Sequence, residues 1–362
     1  MRALAVYPDR HITQIIEIAE PPPPRGHEVL VRVHEVGICG TDRDIADFHY
    51  GEPPPGSDHL ILGHEAVGEI ADIGEDVSTV RIGDLVVLTV RRPCPDPGCR
   101  ACRVGRQDFC TTGDFTERGI KQVHGYLTEL VLDDEHNVVA VPPQLTAVAA
   151  LVEPLSIAAK AAEQAQAVQR RLPWEQEKGR ILVLGAGPVG MLGALAMTVT
   201  GFDTIVYSRE SDDSPRADRV REMGATYLST DQTPIAKLPA VTGPIDVIYE
   251  AVGVPAVAFG AIEALSPNGL LILTGIPGPA EPTALPLDRI MKTIVLSNQA
   301  IVGTVNASRS AFALAVQRLE QAMYLVPQSV RGIITKRVPL DAAPDTLREP
   351  HGAKDIVQIG RT

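Results

Sequence analysis

Four of the five cysteines, Cys94, Cys99, Cys102 and Cys110, lie in one short stretch, RRPCPDPGCRACRVGRQDFC. Close-set thiols in a reducing compartment favour a metal over disulfides. Four thiolates complete the tetrahedral coordination of zinc and leave no open position, so this loop reads as a structural zinc site. The fifth, Cys39, stands in GICGTD, and His64 and Glu65 follow 25 residues later in a GHE triplet. Thiolate, imidazole and carboxylate together suit a zinc that keeps one position open for chemistry. Glu153, in LVEPLS, adds a further acid where two sequence textures meet, the place where a cleft between domains would form.

A second chemical signal is the run ILVLGAGPVG, which sets Gly185, Gly187 and Gly190 in G-x-G-x-x-G spacing, with Pro188 and Val189 between the last two. An apolar strand precedes it and a helical pattern follows. In that setting the first glycine permits a tight turn, the second lets the backbone approach a pyrophosphate, and the third allows close helix–sheet contact. The next apolar run ends VYSRES, placing Ser208 and Arg209 where an NAD enzyme usually carries an acid. A hydroxyl and a guanidinium suit a 2′-phosphate, so NADP is the expected coenzyme, with NAD as a second. Glu210, Asp212 and Asp213, close by, are expected to oppose that phosphate.

These residues must be positioned by two kinds of element. Up to about residue 155, short β-rich runs such as EVLVRVHEVG and DLVVLTV alternate with turn-rich segments, the pattern of an irregular, mainly antiparallel domain. Beyond it, apolar strands alternate with helical segments, the signature of a parallel sheet covered on both faces. IDVIYEAVG and GLLILTG are two of those strands, and Gly253, Gly275 and Ile276 at their ends complete the expected coenzyme contacts. Shorter elements return after about residue 306, and KDIVQIG reads as a closing strand. The expected organisation is an α/β chain with a zinc-binding β-rich domain, 1–155 and 306–362, around a Rossmann-type domain, 156–305.

Composition excludes several functions. A net charge of −12 and a pI near 5.2 argue against nucleic acid. Aromatics at 4% offer little stacking surface for single strands. The apolar stretches look too interrupted to span a bilayer, and the N-terminus shows no signal peptide, so a cytoplasmic location is expected.

GHEAVGEIADIGEDV, residues 63–77, reproduces the G-H-E-x2-G-x5-G-x2-V signature of the zinc-dependent medium-chain dehydrogenases. With GICGTD, the cysteine loop and GAGPVG in the same order, the resemblance covers essentially the whole chain. Within that superfamily the chain most resembles archaeal-type glucose (aldose) 1-dehydrogenases, through RRP…GRQDFCTTGDFTERGI, HGYLTE and IVGTVNASR. EPLS also resembles polyol dehydrogenases, in which a glutamate replaces a cysteine ligand.

The resemblance implies a GroES-like catalytic domain and two zincs per chain. The catalytic zinc would be held by Cys39, His64 and Glu153, with Glu65 in or next to its ligand shell and Asp42 orienting His64. It further implies that Thr41 contacts the reacting hydroxyl, and that Glu117 and Asn306 contact sugar hydroxyls and the nicotinamide region. The implied reaction is oxidation of an aldose, D-glucose foremost, at C1 to the aldonolactone, with hydride transfer to NADP. Three departures stand out: an x4 first gap in the cysteine loop where x2 is usual, Ala159 where some relatives carry an acid, and Val90 where some carry asparagine. The alternatives are a polyol or secondary-alcohol dehydrogenase, a catalytically silent nucleotide-binding scaffold, and a zinc-stabilised nucleic-acid binder that the charge disfavours. TIVLSNQAIVG reads either as an internal strand or as an edge strand pairing across subunits. The resemblance favours a homo-oligomer, dimer or tetramer.

Overall fold

The apolar runs of the second half of the chain form a single all-parallel sheet of six strands: Arg180–Leu184, Asp203–Ser208, Thr226–Ser229, Ile245–Glu250, Leu265–Leu273 and Ala300–Gly303. This is seen in a computed structural model that describes residues 1–174, 178–278, 282–349 and 352–360. Across the sheet the strands lie third, second, first, fourth, fifth and sixth in chain order, the doubly wound order of dinucleotide-binding folds. Ile181 to Leu184 are all buried, as a central strand with both faces covered requires. Leu182, Leu184, Ile205, Tyr207, Ile248 and Leu271 contribute to its hydrophobic core. Chain order reverses between the first and fourth strands, and a crevice for ligand opens at the C-terminal ends of strands at such a point. The glycine turn follows one of these ends, and Ser208 and Glu250 are the last residues of two others.

The sheet belongs to a compact unit made of Ile157–Val305 and Arg318–Gly332; the other unit comprises Met1–Ser156, Asn306–Gln317 and Ile333–Thr362. The tail therefore does not return whole to the first domain, and Arg318–Gly332 falls with the sheet instead. Part of the reason is a hydrogen bond from Gln321 Nε2 to the Val199 carbonyl, 2.7 Å, at the end of helix Pro188–Val199. The run Pro143–Gln169 has the length and mean hydropathy, 1.5, of a bilayer span, contrary to the expectation of interrupted stretches, but 78% of that window is buried within the protein. It serves as a core helix.

In the first unit, a seven-stranded sheet is built around Glu28–Ile38. Glu65–Ile73 pairs antiparallel along one edge of this strand; Leu130–Asp134 and the closing strand Lys354–Gln358 share the other. The register sets Gly37 opposite Glu65 on one side and Ile356 on the other. A Cβ on Gly37 would overlap both the Glu65 carboxylate and Lys354 Cε, so only glycine lets those two side chains meet across the strand.

A smaller sheet pairs Arg91–Arg92, Thr116–Arg118 and Gln122–Val123. Asp133 anchors it from the large sheet: its Oδ2 accepts Arg92 Nη2 at 2.5 Å and Arg118 Nη2 at 2.9 Å, and its Oδ1 accepts Asn137 Nδ2 at 2.8 Å. Burial alone would raise this carboxyl, but the two guanidiniums override it and hold it at about 2. A depressed carboxyl stabilises the fold above its unfolded pKa, near 4, and that stabilisation is lost as pH falls through about 2, a contribution on the order of 2 kcal/mol. Asp133→Asn should therefore lower the unfolding midpoint at pH 7 and flatten the acid limb between about pH 4 and 2. An unchanged acid limb in urea melts across that range would show that the anchor carries no such load.

Candidate active site and metal centres

In the cysteine loop, the four sulfurs of Cys94, Cys99, Cys102 and Cys110 all lie within 4.8 Å of one another and none is in a disulfide. The lengthened first gap closes on itself: Cys99 N–H donates to the Asp96 carbonyl at 3.1 Å and Gly98 N–H to Asp96 Oδ1 at 2.8 Å. The extra residues thus form a tight turn that returns Cys99 to the cluster. Backbone amides of Cys102 and Thr111 pull the Cys99 thiol down to about 5, while burial pushes Cys102 up to about 12. The donor set is the one structural zinc takes.

Cys39, His64 and Glu65 form a second set, again with donor atoms within 4.8 Å of one another. Cys39 caps helix Gly40–Ala46: its sulfur accepts Thr41 N–H at 3.2 Å, and Asp42 Oδ2 accepts Cys39 N–H at 2.9 Å. His64 Nε2 lies 3.1 Å from Cys39 Sγ, and its Nδ1 faces Asp42 Oδ1 at 3.3 Å. A carboxylate behind one ring nitrogen fixes the tautomer and directs the other nitrogen to a metal. His64 and Glu65 are buried, whereas Cys39 keeps part of its surface open. Burial opposes charge on His64 and Asp42; Cys39 and then Asp42 raise the imidazole, and the imidazole lowers the Asp42 carboxyl. A thiol, an imidazole nitrogen and a carboxylate converging in one buried corner fit zinc with a position to spare.

Two residues bear on this corner in ways the sequence did not rank. Lys354, 1% exposed, pairs with Glu65 and donates to the Ile38 carbonyl at 3.0 Å. Glu153, the expected third ligand, stands outside the tight set. Its carboxyl is pushed to about 8 by burial and then by the Glu65 charge, while His64 and Lys354 pull it down. Of the two acids, Glu65 is the one that has Lys354 as a direct partner.

Glu117 and Asn306 come together, with Asn306 Nδ2 donating to Glu117 Oε1 at 2.9 Å. Arg91, which sequence reasoning gave no role, joins them: its Nε and Nη2 reach the same oxygen at 3.1 and 3.0 Å, and it lies over the Phe115 ring. The segment bearing Glu117 is pressed against the one bearing His64. A Cβ on Gly119 would overlap the Gly63 carbonyl. Val90 and Ala159 are both buried.

In the sheet unit, Gly185 takes a left-handed φ of +102°, and a Cβ on Gly190 would overlap the Gly185 carbonyl. Gly187 caps helix Pro188–Val199, whose first turn contains Val189. Ser208 Oγ accepts the Ala186 N–H at 3.2 Å and donates to Glu210 at 2.5 Å, and Arg216 holds the same carboxylate at 2.6 Å. Asp212 is likewise paired with Arg221. Two of the three acids expected to repel a phosphate, Glu210 and Asp212, therefore carry internal counter-ions, and Arg209 is exposed beside them. Gly253, Gly275 and Ile276 sit on two adjoining loops.

Residues 25–143 match the alcohol dehydrogenase GroES-like domain and residues 146–359 the glucose dehydrogenase C-terminus. The chain is 38% identical to a glucose 1-dehydrogenase of Methanocella arvoryzae, over 99% of this chain and 100% of that one, and 36% identical to glucose 1-dehydrogenase 1 of Vulcanisaeta moutnovskia, over 99% of each. The structure of Haloferax mediterranei glucose dehydrogenase in complex with NADP, Zn and gluconolactone superposes with a TM-score of 0.90 at 32% identity, over the full length of both chains. Fold and site together define an NAD(P)-dependent dehydrogenase of the zinc-containing medium-chain type. Within that class the chain belongs to the glucose dehydrogenase family.

The Lys354–Glu65 pair generates a prediction. Lys354→Met leaves Glu65 buried without its cation and should cost about 3–5 kcal/mol in unfolding free energy. Adding Glu65→Gln should recover part of that loss, because the interaction is pairwise. Urea unfolding of the two single variants and the double variant measures the coupling, and strictly additive losses would remove the pair from the argument.

Proposed function

We propose that the protein oxidises an aldose, D-glucose foremost, at C1 to the aldonolactone, with NADP as preferred coenzyme and NAD as a second. The C1 hydrogen leaves as hydride to the coenzyme and the C1 hydroxyl proton passes to solvent. One aldose and one oxidised coenzyme thus give one lactone, one reduced coenzyme and one proton. The observation that carries this reading is the buried Cys39–His64–Glu65 set in a chain alike over its full length to glucose 1-dehydrogenases.

Cys39, His64 and a carboxylate, Glu65 or Glu153, would hold the catalytic zinc, and Cys94, Cys99, Cys102 and Cys110 the structural one. When bound, zinc supplies Lewis acidity at the C1 hydroxyl and the nicotinamide accepts the hydride. Asp42 keeps the His64 ring in place through Nδ1, and Lys354 holds the Glu65 carboxylate in place. Thr41, beside Cys39, takes the hydrogen bond of the reacting hydroxyl and passes on its proton. Glu117 and Asn306 receive the sugar's other hydroxyls, with Arg91 holding the Glu117 carboxylate in its buried pose. Gly185, Gly187 and Gly190 cradle the pyrophosphate, and Ser208 with Arg209 receives the 2′-phosphate. The five free cysteines suit a reducing cytoplasm.

An initial-rate panel tests the reading: NADP and NAD, each with glucose, galactose, xylose, sorbitol and threonine, on zinc-replete protein. Fastest glucose oxidation with NADP is expected, with lactone as the product. Activity confined to sorbitol or threonine would overturn the substrate, and no activity at all would favour a silent scaffold. Cys39→Ala should abolish turnover and lower zinc from two per chain to one by metal analysis, because the four-cysteine set is untouched.

The partner in solution is a second copy. The strand Ala300–Gly303 ends the sheet with one edge unpaired among the described residues. Helix Leu287–Leu296, just before it in the chain, presents Leu287, Met291 and Val295 at 66–67% exposure along one face. An unpaired edge next to an apolar stripe invites a self-complementary interface. Met291→Glu with Val295→Glu should shift the mass measured by light scattering from oligomer to single chain; an unchanged mass would place the interface elsewhere.

A further inference from the structure

Glu250 is the last residue of the fourth sheet strand and is 1% exposed. Its Oε1 accepts the backbone N–H groups of Val252 at 2.7 Å and Gly253 at 2.6 Å, and its Oε2 accepts Gly275 N–H at 3.1 Å. Its carbonyl accepts both Thr274 Oγ1 at 2.6 Å and Thr274 N–H at 3.1 Å. One residue thereby ties together the loops that leave the fourth and fifth strands. The contact is close: a Cβ on Gly275 would overlap the Gly253 amide, and Gly253, at φ +72°, would carry a Cβ only 2.6 Å from the Ile276 carbonyl. Three converging N–H dipoles make up for the water that the buried carboxylate lost on folding. Such an arrangement spends a buried charge on the spacing of two loops, which a neutral core residue could not set.

Both loops lie at the C-terminal ends of parallel strands, where a doubly wound sheet receives its dinucleotide. We propose that Glu250 is a positioning residue for the coenzyme: it clasps residues 251–253 to residues 274–276 at the separation that the nicotinamide half of the coenzyme needs. The proposal rests on the dinucleotide reading above, and it is independent of which sugar is oxidised.

The chemistry of the clasp singles out a conservative variant. Glutamine offers one acceptor oxygen and one NH2 group. Its oxygen can keep the two bonds to Val252 and Gly253, which leaves the NH2 facing Gly275 N–H, donor against donor. Glu250→Gln therefore opens the clasp on one side only.

The test combines amide hydrogen exchange with fluorescence titration of NADPH and steady-state kinetics on the zinc-loaded, full-length protein. In E250Q, exchange should quicken at residues 274–276 and stay slow at 252–253. The dissociation constant for NADPH and the KM for NADP should each rise about tenfold, the size expected for one lost charge-assisted hydrogen bond, while the KM for sugar stays within about twofold. Faster exchange at Gly275 with unchanged NADPH affinity would overturn the proposal, and so would unchanged exchange. Gly275→Ala provides a second route that leaves Glu250 intact, because its methyl group would wedge the loops apart; it should weaken NADPH to a similar degree, and wild-type affinity in that variant would also overturn the clasp. Wild-type protein that binds NADPH but leaves glucose unoxidised would sink the sugar reading and leave the clasp standing, whereas wild-type protein that binds neither NADPH nor NADH would sink both.

Discussion

The ion pair between Lys354 and Glu65 is the constraint on which the catalytic corner depends. Both side chains are almost wholly buried, and both meet over Gly37 on the central strand of the first unit. A buried ion pair is not a cheap source of stability, since desolvation of each charge opposes its attraction to the other. What it supplies here is a carboxylate fixed in position beside Cys39 and His64. The first residue of the closing strand brings a cation to the buried Glu65 carboxylate. Burial raises the neighbouring Glu153 carboxyl, and Glu65 adds to that rise while Lys354 opposes it.

Close backbone approach is the second constraint. Gly37 makes room for the ion pair, Gly119 lets the Glu117 segment lie on Gly63 just before His64, and Gly190 lets helix Pro188–Val199 reach the turn that precedes it. Each glycine brings two groups into contact: a buried carboxylate and its counter-ion, the Glu117 and His64 segments, a helix end and the turn before it. A methyl group at any of the three would push apart atoms that already touch.

Around the coenzyme turn, electrostatics follows partners more than proximity. Glu210 stands beside Arg209 in sequence, yet its carboxylate is engaged by Ser208 and Arg216. The local field is therefore less acidic than the string SRESDD implies. In the same unit, Glu250 turns a buried carboxylate into a spacer between loops, using backbone dipoles in place of a cation.

The clustering of the four loop cysteines and of Cys39 with His64, the glycine turn and the parallel sheet were legible in the sequence because each depends on residue type at short spacing or on the periodicity of apolar runs, whereas Glu153, expected beside them, stands outside the tight cluster. The closing strand KDIVQIG was also legible as a strand. That its first residue would be the counter-ion of Glu65, some 290 positions earlier, depends on strand register across Glu28–Ile38, which no local pattern encodes. Arg91 looked like one of two consecutive arginines until the small sheet set it beside Glu117. Glu250 ended an apolar strand with nothing in IDVIYEAVG to show that three amides would close on it. The placement of Arg318–Gly332 with the sheet unit was equally hidden, because continuous helix Arg309–Leu325 carries no break where the units divide. Which donor side chains cluster at short range was thus written in the chain. The partners that hold those side chains were decided by register and by long-range packing, where the energy of a contact depends on residues that sequence order keeps apart.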